Sequence, residues 1–529
     1  MNILLISHYA GAPQYGMEFR SYYMAREWVR QGHQVTVVGA SFSHLRHHQP
    51  PTGEETLEGI HYLWLPTSTY EGNGLARVRT MFQFVAKVFR RSREFAALKP
   101  DIVIASSVYT FDLYPCRRIA RLAHAKLVYE VHDLWPLSPM IIGGYSKWHP
   151  FIWLLQRGEN YAYRHCDMVV SIIDKSFPHM QRHGLTPDRF CCIPNGYLPE
   201  EWVKNGEVVN GEVVNSEVVN GEVVNGEVVN SEVVNGEVVN GEVVNGEVVN
   251  SEVVNSEVVN SEKAAAVNSQ FATSQKREQN VRKRSVQEPA LETVAKYVSV
   301  AKPSSLGLCR AQETSTKLIH NSQVTLPEQH TYTIQGLREQ GKIILGFAGG
   351  HTQSTAMHIF VQAAKELQNR PDLAFLLVGD GPQKAELIQL AESLQLSNIQ
   401  FLPPIPKNAI PLLLTQFDIC YAGGVHSILH QYGTSFNKIT DYMLAAKPII
   451  FSVDEPDSLV QHVGCGIQVE AENTAQVVQA IEQLTNLSSE QRNIMGMKGH
   501  DYAVANLQYP TLAKEFLEKC KICDLRTVN

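Results

Sequence analysis

At 529 residues the chain is longer than one hydrophobic core supports, so two domains with additional sequence are expected. The formal charge of −7 is localised: residues 205–262 hold 12 Glu and no Lys or Arg, which leaves the remainder at +5. That mild surplus suits an anionic substrate or an acidic membrane surface, and the lack of a basic tract interleaved with aromatics argues against nucleic acid.

The chain runs from Met1 straight into an apolar strand, Asn2 to Ser7, with no charged leader segment, and no apolar run reaches the ~18 residues of a membrane span. A cytoplasmic protein, at most peripheral on the inner face of the membrane, is the expectation. The loop YAGAPQYGMEFR follows, then a helix from Phe19 to Gln31 stopped by Gly32, then the strand Gln34 to Gly39. This βαβ unit collects ligands at the carboxyl ends of its strands. Gly16 would let backbone approach a substrate closely, and Arg20, one turn into the helix, is placed to meet a phosphate. The loop is not G-x-G-x-x-G, so it is not read as a dinucleotide site.

Residues 75–99 are helical in period, apolar and basic. Val78, Met81, Phe82, Val85, Val88 and Phe89 can share one face, ringed by Arg77, Arg79, Lys87, Arg90, Arg91 and Arg93. Two readings stand: a helix lying in a membrane surface, or one packed on the sheet with a solvated charged side. Strands Asp101 to Ala105 and Lys126 to Val131 come next, and the second runs into EVHDLWPLSP. His132 and Asp133 thus sit at a strand's carboxyl end, either as chemistry or as a satisfied structural pair. A helix at Arg157 to His165, a strand at Met168 to Ile172 and the loop IPNGYLP complete a first domain.

From Asn205 to Val259 the chain is eleven copies of N-[G/S]-E-V-V. With Val as the sole large apolar residue and one acid in five, disorder is the first reading; a β-solenoid is the second, because Asn-Gly favours turns and Val-Val strands. Polar, irregular sequence continues to about Tyr332. The nine Cys form no framework, and CKIC at Cys520 and Cys523 lacks a second pair, so free thiols are expected over disulfides or structural zinc.

Order resumes at Lys342 with a second alternation of strands and helices, in which the turn Gly349-Gly350 precedes a helix and is suited to cradle a diphosphate. In GTSFNKITDYMLAAKPII, Gly433 to Ile450, Ser435 is a plausible N-cap and Pro448 a stop. Lys438 then falls near the helix start, where the dipole disfavours a cation, and a phosphate held between the open amides and this ammonium would repair the mismatch. Asp441, on the same face, could accept hydrogen bonds from a ribose diol.

The strings YGMEFR, GHQVTVV, HDLWPLSP, IPNG, FAGG, LLVGDGP and SFNKITDYMLAAKPII, in this order, resemble the retaining glycosyltransferases of family 4, especially bacterial members that build cell-surface polysaccharide. The resemblance covers about 1–202 and 336–515 and implies the GT-B fold: an α/β protein of two doubly wound Rossmann-like domains facing a cleft. It divides the chain into an acceptor-side domain, 1–202, a low-complexity insertion, 203–335, and a nucleotide-sugar domain, 336–529, whose last helix, roughly Thr511 to Cys520, crosses back. It implies transfer of a sugar from a nucleotide diphosphate sugar to a lipid-linked or saccharide acceptor, with retention and no obligatory metal or cofactor. Residue by residue, it puts Lys438, Gly349 and Gly350 on the donor phosphates with Gly16 opposite, and Asn437 and Arg20 are further donor-binding candidates. Asp441 falls on the ribose, Leu402-Pro403 on the base and His132 at the transferred sugar, and Asp133 beside it is a further catalytic candidate. The sequence departs from the family where its first acid would fall, at Gly433, and where an Arg is common, at Gly350-His351. An epimerase on the same fold and a non-catalytic sugar-nucleotide-binding homologue are the rival readings.

Overall fold

The computed structural model describes residues 1–16, 20–72, 74–203 and 324–522. The Asn205 to Glu262 repeat and the expectations of disorder or a solenoid lie outside these residues, as do Met17 to Phe19 of the first loop.

The first lobe is an eight-stranded sheet of order β3-β4-β2-β1-β5-β6-β7-β8. Its strands are β1 (Asn2–Ile6), β2 (Gln34–Ala40), β3 (Gly53–Leu57), β4 (Ile60–Leu65), β5 (Ile102–Ala105), β6 (Lys126–Val131), β7 (Met168–Ser171) and β8 (Phe190–Cys192). All pairs are parallel except β3 with β4. Because side chains alternate along a strand and both faces are covered, β1 is apolar at every inward position. Ile3 and Leu5 join one core with Trp28 of α1 (Arg20–Arg30), whereas Leu4 and Ile6 join another with Phe84 and Val88 of α2 (Leu75–Arg90) and Ile119 of α4 (Leu113–Ala123). The hairpin β3–β4 has no counterpart in the sequence expectations, because the edge strand GEETL is polar and largely exposed.

The run 75–99 is two helices, α2 and the short α3 (Ser92–Ala97), separated at Arg91. The buried side of α2 centres on Met81, Phe84 and Val88, while Phe82 and Phe89 are 42% and 47% exposed, so the expected single apolar face is split in two. Helices α5 (Leu137–Ile142), α6 (Pro150–His165), α7 (Phe177–Arg182) and α8 (Pro199–Val203) complete the lobe.

The second lobe opens with α9 (Glu328–Glu339), a helix where irregular sequence was expected, and builds a six-stranded parallel sheet of order β11-β10-β9-β12-β13-β14. The strands are β9 (Ile343–Ala348), β10 (Leu373–Val378), β11 (Ile399–Leu402), β12 (Ile419–Gly423), β13 (Ile449–Ser452) and β14 (Gly466–Val469). The helices are α10 (Met357–Glu366), α11 (Lys384–Ser393), α12 (Ile410–Thr415), α13 (Asn437–Leu444), α14 (Leu459–Val463), α15 (Thr474–Thr485), α16 (Ser489–Asn506) and α17 (Tyr509–Ile522). In each sheet the strand order reverses beside the first strand, so the crevices lie at the carboxyl ends of β1 and β9.

Helix α17 belongs to the first lobe's core. Leu512, Ala513, Phe516 and Leu517 share a cluster with Trp28, whose Nε1 donates to the Ala513 carbonyl at 2.9 Å. A two-bond ladder precedes it, Tyr197 N to Leu507 O at 2.9 Å and Tyr509 N to Tyr197 O at 3.0 Å. The described cysteines are free thiols, and all but Cys192 are buried. Truncating the fully buried Phe516 to Ala removes a large side chain from this junction. Phe516→Ala should cost about 3–5 kcal/mol, read as a lowered denaturation midpoint in urea.

Candidate functional site

The second lobe's half of the site is built on the start of α13. Its N-cap is Phe436, with no side-chain cap, so the expected cap Ser435 does not serve; Ser435 Oγ accepts instead from Asn195 Nδ2 at 3.1 Å. Ile439 N donates to the Phe436 carbonyl at 2.9 Å, and the amides of Asn437 and Lys438 are left for a ligand or solvent. Lys438, at the second helical position, has its Nζ 4.6 Å from the Phe347 ring centroid and no hydrogen-bond or ion-pair partner among the described residues. Burial lowers its pKa to about 8, so it keeps its charge at neutral pH. Gly349 adopts φ of +147°, and a Cβ built there would stand 3.8 Å from Lys438 Nζ, which brings the glycine turn and the ammonium together. Gly350 is exposed beside it.

Where the family commonly has Arg, His351 is fully buried against Phe347 and Phe401. Burial, with Lys384 beside it, lowers its pKa to about 4, so the ring is neutral. Lys384 itself is spent on the carbonyls of Gly379 and Leu402, at 2.7 and 3.0 Å. Asp441 lies one turn beyond Lys438, and its carboxylate has no hydrogen-bond partner among the described residues. Burial raises its pKa to about 6, opposed by Lys407 and assisted by Glu201. Of the pair expected at the base, Leu402 is a buried core residue and Pro403 alone presents surface. The carbonyl of Pro403 is already taken by His330 Nε2 at 2.9 Å. Asn437 is tied to the first lobe, its Oδ1 accepting from Asn195 Nδ2 at 2.9 Å.

The first lobe's half differs more from expectation. Arg20 is not open to a phosphate. It is 6% exposed, and its guanidinium donates to Glu130 Oε1 (3.0 Å), Pro194 O (2.7 Å), Asn195 Oδ1 (3.2 Å) and Ile193 O (3.0 Å). Glu130 is 2% exposed; burial opposes its charge, but Arg20, His132 and the Ser106 hydroxyl outweigh it and hold the carboxyl well below the usual range. Ser106 Oγ donates to Glu130 Oε2 at 2.6 Å and lies 2.8 Å from His132 Nε2, which is 3.2 Å from Glu130 Oε2. With the Ser106 proton committed to the carboxylate, the network assigns a hydrogen to His132 Nε2, which leaves Nδ1 as an acceptor in the neutral ring. The partner of His132 is thus Glu130 and not Asp133.

Asp133 is also not free for chemistry. Its carboxylate accepts from Leu134 N at 2.7 Å, Trp135 Nε1 at 3.1 Å and the Ser138 hydroxyl, all within its own turn. Gly16 adopts φ of +94° and pairs with Arg46; a Cβ there would come within 2.8 Å of the His47 ring, so close packing already requires the glycine. Glu130 and Ser106 were not singled out from sequence, although a lone charge inside the apolar strand KLVYEV is a usable signal.

With this geometry in view, comparison with known proteins is informative. Residues 15–196 match the glycosyl transferase 4-like domain and residues 342–486 match glycosyl transferases group 1, and the two together span more than half of the chain. The first lobe is thus similar to a glycosyl transferase 4-like domain and the second to a glycosyl transferases group 1 domain. It is 31% identical over 116 residues, 22% of its length, to 2-deoxystreptamine glucosyltransferase of Streptomyces kanamyceticus. It is 25% identical over 189 residues, 34% of its length, to Escherichia coli K12 WcaI, a glycosyl transferase whose name assigns it provisionally to colanic acid biosynthesis. These matches span 28% and 43% of the two relatives, less than half of either. Among solved structures, Anabaena HepE in complex with UDP-glucose superposes with a TM-score of 0.53 at 14% identity, covering 98% of this chain and 99% of that one, a likeness of fold.

Glu130→Gln should leave the buried Arg20 without its counter-charge. A loss of about 3–5 kcal/mol is expected by chemical denaturation.

Proposed function

We propose that the protein transfers a sugar, of hexosyl or N-acetylhexosaminyl type, from a UDP-linked donor to a lipid-linked or saccharide acceptor, with retention of configuration. Acceptors of this class belong to exopolysaccharide, O-antigen or capsule assembly, and that is the proposed setting. The observation that carries this reading is the unpartnered ammonium of Lys438, held against the Gly349 turn at the uncapped start of α13. A cation beside a glycine turn and next to the open amides of Asn437 and Lys438 fits a diphosphate.

As the bond from anomeric carbon to phosphate breaks, negative charge grows on the leaving group and positive charge on the sugar. Fixed donors aimed at the diphosphate then stabilise the transition state more than the ground state. Lys438, the α13 amides and the Gly349-Gly350 turn supply this without a metal at the donor site. Asp441 accepts the ribose diol, Pro403 offers a surface to the base, and His132 Nδ1 accepts from a hydroxyl of the transferred sugar. The acceptor hydroxyl attacks from the face the phosphate leaves, and the phosphate takes its proton. The 2-deoxystreptamine glucosyltransferase and the UDP-glucose complex of HepE support the choice of donor class.

Among the described residues no helix is long and apolar enough to cross a membrane. The first lobe nevertheless exposes Leu75 (88%), Phe82, Phe89, Trp148 (79%) and Trp153 (57%) beside Arg79, Arg90 and Arg93. Phe82 stacks on Phe111 at 5.0 Å and Phe111 meets Phe151 at 6.0 Å, joining α2 to the start of α6. Aromatic and basic groups so combined suit the anionic inner face of a membrane, where a lipid-linked acceptor would lie.

Lys438→Ala should lower turnover on the order of 10²-fold or more with a smaller change in donor affinity, measured by steady-state kinetics with UDP-sugars. Since diphosphate binding raises the lysine's pKa, UDP binding near pH 8 should take up a proton in wild type and not in Lys438→Ala, read by calorimetry in buffers of different ionisation enthalpy. Equal proton uptake by both proteins would remove Lys438 from the phosphate. Separately, the wild type should sediment with anionic vesicles at low salt, and the triple variant Arg79→Glu, Arg90→Glu, Arg93→Glu should remain in solution; wild type that stays unbound refutes the membrane assignment.

A further inference from the structure

The first lobe carries a second polar cluster, on α6 and α7, that the transfer reaction does not use. Glu159, His179 and His183 each offer one ligand atom, and the three atoms lie within 4.8 Å of one another. Glu159 is 1% and His179 5% exposed, whereas His183 reaches the surface and gives a small ion access. His179 Nε2 stands 2.8 Å from Glu159 Oε1. Tetrahedral zinc with bonds of about 2.0–2.2 Å sets its ligand atoms roughly 3.4 Å apart, so this pair would open by about 0.6 Å and the third ligand, within 4.8 Å, would close by at most about 1.4 Å.

The surroundings resemble an orienting shell. Gln156 Nε2 donates to Glu159 Oε2 at 2.6 Å and lies 3.0 Å from His183 Nδ1, which Asn160 Oδ1 meets at 3.0 Å. Tyr163 OH donates to Glu159 Oε1 at 3.1 Å. Such contacts fix the carboxylate and ring orientations that a metal needs before it arrives.

We propose that Glu159, His179 and His183 form a binding site for a divalent transition metal of the zinc class, with water as the fourth ligand. The His179 ring lies 5.6 Å from that of Tyr432, and Arg182 Nη2 donates to the Tyr432 hydroxyl at 3.1 Å, so the metal would brace α7 where the second lobe rests on it. Its role is structural and independent of the donor site.

The test uses the full chain freed of metal with chelator and then titrated with ZnCl2 or CoCl2 alone. One equivalent should bind with Kd below about 1 μM near pH 7.5, raise the melting temperature reversibly to EDTA, and give with Co2+ the visible bands of a tetrahedral nitrogen and oxygen site. Affinity should fall as pH drops through the histidine range, because the ligands bind deprotonated. His183→Ala, at the half-exposed position, and Glu159→Gln should each abolish binding at this level, and Gln156→Ala should weaken it on the order of 10-fold. Should Glu159→Gln fail to fold, His183→Ala decides alone. Undiminished binding in His183→Ala, a thiolate charge-transfer band in the Co2+ spectrum, or no binding tighter than about 100 μM would overturn the proposal and leave a hydrogen-bonded His–Glu pair.

Discussion

The first lobe depends on a charge placed where water cannot reach it. Glu130 sits on β6, an interior strand of the first sheet, with almost no exposure, and an isolated carboxylate there would be prohibitively costly. Arg20 resolves the problem from α1, 110 residues away in sequence, and in doing so fixes the carbonyls of Ile193 and Pro194 and the amide of Asn195. One ion pair therefore ties a helix, a central strand and the loop that meets the second lobe. The same carboxylate holds Ser106 and His132, so the lobe's stability and the aim of its cleft histidine rest on one group.

The second lobe presents the opposite arrangement. Lys438 is shielded by Phe347 but given no anion of the protein's own, and its lowered pKa records that unmet need. Neighbouring groups are silenced: His351 is neutral, and Lys384 is committed to carbonyls. An environment that leaves one cation uncompensated while satisfying those around it is organised for an incoming negative charge.

What was legible in the sequence was local. The Gly349-Gly350 turn, the alternation of strands and helices, and the conflict between Lys438 and the helix dipole all depend on residues close along the chain. The reading failed where partners are distant or where adjacency misleads. His132 and Asp133 look like a pair because they are neighbours, but side chains at a strand end alternate, so His132 shares a side with Glu130 while Asp133 turns into its own loop. Arg20 looked like a phosphate ligand because its counter-ion could not be seen without the sheet. Leu402 belongs to a strand whose inward position buries it, and only its neighbour Pro403 reaches the surface.

The return of α17 to the first lobe has a bearing on how the chain is made. Trp28 finds its hydrogen-bond acceptor 485 residues later, beyond the whole sheet of the second lobe in sequence. Without α17, the face of the first sheet that carries Ile3 and Leu5 is covered by α1 alone of the α-helices in that cluster, and the α17 side of Trp28 stays open. The apolar groups that α17 covers stay exposed while the intervening sequence is made, and surface of that kind favours association between chains.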